Sequence, residues 1–460
     1  MPFPSKHILS KSTFMYGCQC PKRLWLHKYR PDVRDEMDEE QEAVFQRGTD
    51  VGKLAEQLFP GGVDARPETP FAYQQSVADT ARYIAEGRDI IYEAAFQYEG
   101  LLCAVDILVK QANQWYAYEV KSTSKVKEQH IPDAAFQYYV ITHAGLELAD
   151  FSIVHLNTSY IRYGDLNVQE LFTAESVLDR LLPMQEFIHE KGLALKTVVA
   201  NKIEMPEVEV GDHCYSPYDC DFLGFCYEGK GNEEEEDYGE PHINHEGIKE
   251  FVSQLEYPIY HIDFESWRAV VPEYDGHWPF RQVCFQYSVH VERAPSAEPE
   301  HYAYLAEGTY SSSLEFIESL LGVLGTQGTV LVYNISFEKP RLTELMNEHP
   351  QHAEAIQNVI DRIVDLMKPF RKDYRTPEMQ GKWSIKKVLP ALLPELSYSQ
   401  LTIGNGTDAS NAFYHLQNTQ NPDDVERTRT ALLEYCKLDT LAMVKLLEVL
   451  REDKKFAIKA

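Results

Sequence analysis

The sequence has no apolar run that approaches the roughly 20 residues of a membrane-spanning helix, so we expect no membrane partner. Its first residues lack the apolar stretch and cleavage site of a secretory signal, and we therefore expect a cytoplasmic protein. Only 8 of the 460 residues are cysteines, which is too few for a disulfide framework. With 44% hydrophobic and 12% aromatic residues the chain can bury ordinary cores, which excludes disorder throughout and a fibrous repeat.

Basic residues are also scarce, because 44 Lys and Arg stand against 72 Asp and Glu, a formal net charge of -28. Taken alone, that excess argues against a passive nucleic-acid coat. The acidic residues are concentrated, however, and residues 201–250 hold 15 of them against 3 basic ones. The sequence thus predicts a solvated acidic linker at 229–250, between one domain at 1–228 and another at 251–460. A charged surface loop inside one domain is the alternative.

Two local stretches are basic although the chain as a whole is acidic. Before Asp32 the chain has six basic residues and no acidic one, and from Arg362 to Lys387 eight basic residues face three acidic ones. Such patches can attract phosphate, although a charge run is more often a solvated face. We predict that Arg371, Lys386 and Lys387 bind a substrate backbone. Core helix packing with exposed lysines is the alternative.

In the first half, residues 90–121 form three β-rich runs, which predicts an antiparallel meander with helices before it, at 47–59, and after it. Asp106 interrupts the second run. Glu119 and Lys121 lie at i and i+2 of the third, so both side chains point to one face of the strand. Two carboxylates at one sheet end can hold one or two Mg²⁺ or Mn²⁺ ions, which activate water against a phosphodiester, while the lysine steadies the water or the developing charge. Further candidates, with ordinary surface polar residues as the alternative, are Glu56, Glu93 and Gln137.

Cysteines bracket this pattern. One precedes it and three follow it with Cys-x5-Cys-x5-Cys spacing: Cys20, Cys214, Cys220 and Cys226. Four thiolates supply the ligands of a 4Fe-4S cluster or of Zn²⁺, and such a metal would join the two ends of the domain. Unrelated buried cysteines are the alternative, and Cys18 could replace Cys20. Cys103 and Cys436 are expected to fill core space.

This half resembles the PD-(D/E)xK nucleases of the RecB type that carry an iron-sulphur cluster, such as the CRISPR-adaptation exonucleases and the AddB-like repair nucleases. The resemblance covers about residues 1–228 and rests on the CPKRLWL motif, Asp106, the E-V-K motif, Gln137 and the cysteine triplet. It implies a restriction-endonuclease-like α/β core that cleaves DNA. Its implied metal ligands are Asp106 and Glu119, its catalytic lysine Lys121, its helix motif residue Gln137, and its cluster ligands the four cysteines. Gly52 stands where this group often has a histidine ligand.

The second half gathers acidic residues around another predicted sheet. A buried strand carries Asp263 and Glu265 on one face, and burial of such a pair is costly unless it is paired or metal-bound. Glu338 begins a helix just beyond a later strand. A long amphipathic C-terminal helix presents Tyr435 and Asp439 one turn apart. Together these residues predict a two-metal site with a tyrosine that orients the attacking water.

This order resembles the DnaQ-type, or DEDD, exonucleases of the ribonuclease-H-like superfamily, over about residues 255–450. The matching motifs are D-x-E at Asp263 and Glu265, N-x-x-F-[DE] at Asn334 to Glu338, and Y-x-x-x-D at Tyr435 and Asp439. Glu338 stands where Asp is usual. The whole chain resembles an uncharacterised bacterial family that fuses a RecB-type domain to a DnaQ-like domain.

We therefore expect a two-domain α/β metal-dependent nuclease that hydrolyses DNA, with Mg or Mn at both centres. It would act as an exonuclease on ends or single strands, in repair or mobile-element defence. One alternative is a nucleic-acid-binding scaffold with inactive centres, which Gly52 and Glu338 favour. Another is an RNA exonuclease, since nothing in the sequence reads a 2′-hydroxyl. Which proteins it binds is not evident from the sequence.

Overall fold

The chain is a mixed α/β protein in the computed structural model, which describes residues 6–35, 50–69, 72–228, 240–307 and 312–451. Residues 229–239 of the predicted linker lie outside these ranges. The chain divides into two compact units. Unit 1 comprises Met1–Asn232 and Val270–Phe280, and unit 2 comprises Glu233–Ala269 and Arg281–Ala460. In the part of the chain described, no helix has the length and apolar character needed to cross a membrane.

Unit 1 contains a seven-stranded sheet and a set of surrounding helices. The strands are β1 Leu9–Ser10, β2 Val63–Asp64, β3 Ile90–Tyr98, β4 Leu101–Gln111, β5 Gln114–Lys121, β6 Leu148–Leu156 and β7 Phe172–Ser176. The described helices are α1 Lys11–Gln19, α2 Pro21–Tyr29, α3 (residues 50–55), α4 Tyr73–Ala85, α5 His130–His143, α6 Val168–Leu171, α7 Leu178–Leu181, α8 Gln185–Ala200 and α9 Leu223–Glu228.

The strand order in unit 1 is β2-β3-β4-β5-β6-β7, with β1 beside β4. As predicted, β3, β4 and β5 form an antiparallel meander and a helix follows it. Strand β6 pairs in parallel with β5, because α5 carries the chain back across the sheet. The predicted helix at 47–59 is confirmed over the described residues 50–58, as α3 and a 3-10 turn at Glu56–Leu58, whereas residues 47–49 lie outside the described ranges. The sequence did not predict α4, which directly precedes the meander.

Helix α1 starts directly after β1 at a capping box. The Ser10 hydroxyl accepts a hydrogen bond from the Thr13 amide, and the Thr13 hydroxyl accepts one from the Ser10 amide. Further along α1, the Phe14 ring lies 4.5 Å from the Phe136 ring of α5, measured between centroids, and both side chains are buried. Cap and core contact together fix the first turn of α1, which begins at Lys11, beside the sheet.

Unit 2 contains a five-stranded sheet and a small two-stranded one. The strands are β8 His242–Ile243, β9 Ile259–Arg268, β10 Gln282–Glu292, β11 Glu300–Leu305, β12 Thr329–Val332, β13 Ile363–Asp365 and β14 Tyr374–Arg375. The described helices are α10 His245–Ser253, α11 Ser312–Leu324, α12 Ile335–Glu348, α13 Ala353–Asp361, α14 Met367–Lys372, α15 Ile385–Leu392, α16 Gly406–Asn418 and α17 Pro422–Arg451.

The five-stranded sheet has the order β11-β10-β9-β12-β13. Strands β9, β10 and β11 are antiparallel, whereas β12 and β13 run parallel to β9. Helix α17 packs on β9 and β10: the Gln286 amide donates to the Leu432 carbonyl, and Ser288 shares a hydrogen bond with Thr440. Since α17 is fixed on the central strand, residues at the middle of the helix lie over the middle of β9.

Candidate metal centres

Three carboxylates of unit 2 meet at the centre of the sheet. Asp263 and Glu265 come from β9 and Asp439 from α17, and one ligand oxygen from each lies within 4.8 Å of the others. The pairing of β9 with β10 shifts register between Cys284 and Gln286, opposite Glu265. Bulges of this kind re-aim side chains beside functional sites. The grouping matches the oxygen ligands that Mg²⁺ and Mn²⁺ prefer.

Glu338 adds a fourth carboxylate to this group. It lies in the first turn of α12, whose cap, Asn334, has φ of 126° and accepts a hydrogen bond from the Ser336 amide. Glu338 is 4% exposed, and its Oε2 atom has no hydrogen-bond partner. Burial, with Asp365 and Asp439 nearby, raises the pKa of Glu338 to about 8. A buried, unpartnered carboxylate oxygen is costly unless a cation binds it.

The other three carboxylates show the same shift. Burial, and then the charge of Asp439, raises the pKa of Glu265 to about 8. Burial raises the pKa of Asp439 to about 6, although a hydrogen bond from Tyr398 opposes the shift. Burial and the surrounding carboxylates also hold the pKa of Asp263 well above its usual range. Without a cation, the four groups resist full ionisation at neutral pH.

Two tyrosines and a lysine border the acidic group. The Tyr398 hydroxyl donates to Asp439 Oδ1 at 2.6 Å, and Tyr435 lies close enough to Asp439 to act against the rise in its pKa. The Lys386 ammonium lies 5.6 and 5.3 Å from the Tyr398 and Tyr435 ring centroids, and it donates to the Gly404 carbonyl. Tyr398 was not found from the sequence, because nothing in its local pattern links it to the motifs.

The other predicted substrate-binding residues have different surroundings. Arg371 lies over the Trp383 ring at 5.9 Å, and Lys387 is exposed. Arg362 donates to the carbonyls of Gly325 and Gln327, which follow α11, so this member of the basic stretch has a structural partner. Of the three residues predicted to bind substrate, Lys386 is the one with a described electrostatic interaction with the acidic group.

Cys436 is buried, as expected of a core residue, but its surroundings are polar. The thiol donates to Asp263 Oδ2 at 3.5 Å. The prediction that Cys436 fills core space is confirmed by its full burial, and the helical turn that presents Tyr435 and Asp439 also brings this thiol to β9. Cys103, by contrast, lies in the apolar core of unit 1.

The predicted E-x-K residues of unit 1 lie together at the end of β5. Glu119 Oε1 accepts from the Lys121 ammonium at 2.7 Å, and Lys121 also contacts Asp133 Oδ2 at 2.5 Å. Asp106 Oδ2 accepts from the Val120 amide at 2.6 Å. Burial and the Glu119 charge raise the pKa of Asp106 well above its usual range. Burial also acts to raise the pKa of Glu119, but Lys11 and Lys121 outweigh it and lower that pKa.

Lys11 and Asp133 were missed from the sequence. The Lys11 ammonium lies 2.7 Å from Glu119 Oε1 and 3.5 Å from Asp133 Oδ1. Asp133 precedes Gln137 by four residues on α5, a spacing that puts both on one helix face and could have indicated it. Lys11 carried no such signal. Gln137 is fully buried, and neither its amide oxygen nor its amide nitrogen has a hydrogen-bond partner.

Glu56 and Glu93 share a basic partner. Arg66 binds Glu56 at 2.9 Å and Glu93 at 3.2 Å. Glu56 begins the 3-10 turn after α3, and Glu93 lies in β3 with φ of 52°, across from Asp106 in the register of the meander. Among the described residues of unit 1, no three acidic, histidine or cysteine ligand atoms all lie within 4.8 Å of one another. The metal-ligand roles of Glu56 and Glu93 stay predictions.

The four predicted cluster cysteines surround one pocket, together with apolar Leu26 and Phe222: Cys20, Cys214, Cys220 and Cys226. Cys20 starts α2, and the triplet lies in the loop before α9 and in α9 itself. Asp221 holds the two segments together through ion pairs with Arg23, at 2.7 Å, and with Arg34. Cys18 is not among the residues that line this pocket and instead packs against the core of unit 1, so Cys20 is the better ligand.

Comparison with known proteins gives distant similarity. Residues 260–384 match a family described as a domain of unknown function, DUF2779. The chain is 26% identical over 210 residues to an uncharacterized protein of Ureaplasma parvum, covering 40% of the chain and 30% of that protein. It is 26% identical over 206 residues to an uncharacterized protein of Mycoplasma pneumoniae, covering 40% of the chain and 31% of that protein. The chain thus spans less than a third of the length of these curated relatives.

Proposed function

We propose that this protein is a metal-dependent nuclease that hydrolyses DNA phosphodiester bonds. The observation that carries the proposal is the grouping of Asp263, Glu265 and Asp439 within 4.8 Å, with buried Glu338 beside them. Divalent ions bound there would neutralise a scissile phosphate and activate water. The hydroxyl of Tyr435 would orient the attacking water, and the Lys386 ammonium would attract the phosphate backbone.

Two features of unit 2 support a ribonuclease-H-like, DEDD exonuclease assignment. Three antiparallel strands continue into two parallel ones, and the carboxylates come from the central strand, from a helix after the neighbouring strand and from the last helix. These are also the positions of the D-x-E, N-x-x-F-E and Y-x-x-x-D motifs. Strand order and motif order are independent observations, so their agreement favours exonuclease chemistry over a fortuitous acidic group.

For unit 1 we propose a second centre of the PD-(D/E)xK type. The meander, the parallel strand β6 and the crossover helix α5 support that core, and Asp106, Glu119 and Lys121 lie at its sheet. Lys121 would hold the attacking water or the developing negative charge. Asp106 and Glu119 would bind the ion.

The spacing of the cysteine sulfurs favours an iron-sulphur cluster over zinc in the cysteine pocket. A tetrahedral zinc site with Zn–S bonds of about 2.3 Å holds its sulfurs about 3.8 Å apart. In the described part of the chain, no three cysteine sulfurs all lie within 4.8 Å of one another. Thiolates that bind different irons of one cluster stand farther apart. Apolar Leu26 and Phe222 line the pocket beside the cysteines, as do charged residues such as Lys22 and Arg23. We propose that a 4Fe-4S cluster joins α2 to the cysteine triplet.

A nuclease assay tests the proposal directly. With Mn²⁺ or Mg²⁺, the protein is expected to degrade end-labelled single-stranded or double-stranded DNA, and Lys121→Ala or Asp263→Asn should each remove part of that activity. Matched controls are Lys202→Ala and Asp361→Asn, two exposed positions outside both centres. A double variant that cuts as fast as wild type contradicts the proposal. Cleavage of RNA alone would identify an RNA exonuclease, and binding without cleavage a scaffold.

The cysteine assignment has its own expected result. Protein purified without oxygen should be brown, and Cys220→Ala should lose the visible absorption, since three thiolates do not hold the cluster stably. Cys18→Ala should keep it, because Cys18 does not line the pocket. Absorption spectra together with iron, sulfide and zinc analysis decide the outcome. A colourless wild-type protein with one zinc per chain would refute the iron-sulphur assignment.

A further inference from the structure

The centre in unit 1 contains a lysine that the E-x-K motif does not include. Lys11 reaches from the first turn of α1 to Glu119 Oε1 at 2.7 Å and to Asp133 Oδ1 at 3.5 Å. Its side chain is 25% exposed, while that of Glu119 is 3% exposed. The capping box at Ser10 and the Phe14–Phe136 contact hold α1, and with it Lys11, in place.

The two lysines leave only part of Glu119 open to a cation. Lys11 and Lys121 both lie 2.7 Å from the same oxygen, Oε1. The other oxygen, Oε2, is buried without a hydrogen-bond partner. Oε2 is therefore the oxygen of Glu119 that remains open to a divalent ion. A second ion that shared Oε1 would have to displace an ammonium group.

The charges lead to the same conclusion. Asp106, Glu119 and Asp133 offer three negative charges, against two positive charges on Lys11 and Lys121, and Glu93 is already paired with Arg66. One divalent ion more than offsets what remains. In unit 2, by contrast, the four carboxylates, with Asp365 also near Glu338, have Lys386 as the cation described beside them. Two divalent ions are needed to offset that group.

We propose that Lys11 replaces the second metal ion in unit 1, so that this centre binds one divalent ion while unit 2 binds two. The catalytic role of Lys11 rests on the proposed function, whereas the number of metal ions that the centre binds can be measured without a substrate. A fixed ammonium supplies one positive charge without dissociating. The unit 1 centre should therefore depend on metal concentration without cooperativity.

Metal binding to the full chain tests the assignment. In an Asp263→Asn, Glu265→Gln, Glu338→Gln, Asp439→Asn background, which removes the four carboxylates of unit 2, calorimetry and electron paramagnetic resonance should count one Mn²⁺ ion per chain. Lys11→Met removes the charge and keeps the stem, and it should tighten Mn²⁺ binding at least about tenfold because a repulsive charge is lost. Lys11→Arg retains the charge and should bind Mn²⁺ like the background protein.

Two results would overturn the proposal: two ions in unit 1 with Lys11 present, or Mn²⁺ binding by Lys11→Met that is no tighter than by Lys11→Arg. Thermal unfolding of all variants shows whether the fold is kept, and the Arg variant separates loss of charge from loss of packing. The measurement contains no nucleic acid. If Lys11→Met tightens Mn²⁺ binding and no variant cleaves DNA or RNA, the proposed function fails and the role of Lys11 stands.

Discussion

Glu265→Gln is expected to lower DNA hydrolysis by unit 2 on the order of a thousandfold and, at the same time, to stabilise the metal-free protein. The loss follows because Gln does not supply the charge that holds the ion. The gain follows because burial raises the pKa of Glu265 to about 8, so an ionised carboxylate at this position opposes folding. At one pKa unit per about 1.4 kcal/mol, the stabilisation at pH 8 amounts to a few kcal/mol.

The measurement uses a Lys121→Ala background, so that only unit 2 contributes to cleavage. Single-turnover rates with Mn²⁺ give the first effect, and urea unfolding in EDTA at pH 8 gives the second. Glu354→Gln makes the same chemical change at an exposed position on α13 and should alter neither quantity. Unchanged cleavage by Glu265→Gln, or a metal-free protein that it destabilises, would show that Glu265 does not belong to a metal centre.

Divalent ions are expected to stabilise the protein much more at pH 8 than at pH 5.5. The pKa values of Glu265 and Glu338 are raised from 4.5 to about 8, and that of Asp439 from 3.8 to about 6. In the metal-free protein the folded state thus holds protons that the unfolded state releases. Their stabilising contribution is complete below about pH 4 and is lost as the pH rises toward 8.

A bound ion reverses this loss, because it favours the ionised carboxylates. At an ion concentration about a hundred times the dissociation constant the stabilisation is about 2.7 kcal/mol, which raises the melting temperature by about 5–10 °C for a unit of this size. Melting curves with EDTA or Mn²⁺ at both pH values test this. Low pH also stabilises the protein by reducing the repulsion among its many acidic residues, which is unrelated to this group. Glu338→Gln separates the two effects, because it should reduce the pH dependence of the melting temperature in EDTA. An equal Mn²⁺ effect at both pH values would contradict the prediction.

The sequence predicted those parts of the fold in which apolar and polar residues follow a regular pattern along a strand or helix. The strands of unit 2 appeared as apolar runs. Asp263 was detectable because an acidic residue is costly to bury in such a run unless it is paired or binds a metal ion. Two pairs were found from their spacing. Glu119 and Lys121 are two residues apart on one face of a strand, and Tyr435 and Asp439 are four residues apart on one face of a helix. Helix α4 was missed because the positions that it buries are Ser76 and Thr80, which give no apolar periodicity.

The rest of the two centres depends on contacts between distant parts of the chain. Lys11 and Glu119 are 108 positions apart, and Tyr398 and Asp439 are 41 apart, with Tyr398 in a short turn. A lysine in the first turn of a helix and a tyrosine in a loop are ordinary in isolation. Only the pairing of strands and the docking of helices decide which carboxylate each one meets. The pattern of ligands was therefore accessible to sequence reasoning, whereas the groups that surround them were not.

The position of α17 in the sequence also determines when the acidic group of unit 2 can be completed during synthesis. Asp263 and Cys436 touch although 173 positions separate them in the chain. At about 5–20 residues per second, the ribosome needs roughly 10–35 s to make the intervening polypeptide. Throughout that interval the carboxylates of β9 lack the helix that covers them. The nascent chain consequently cannot assemble this acidic group until α17 has emerged from the ribosome.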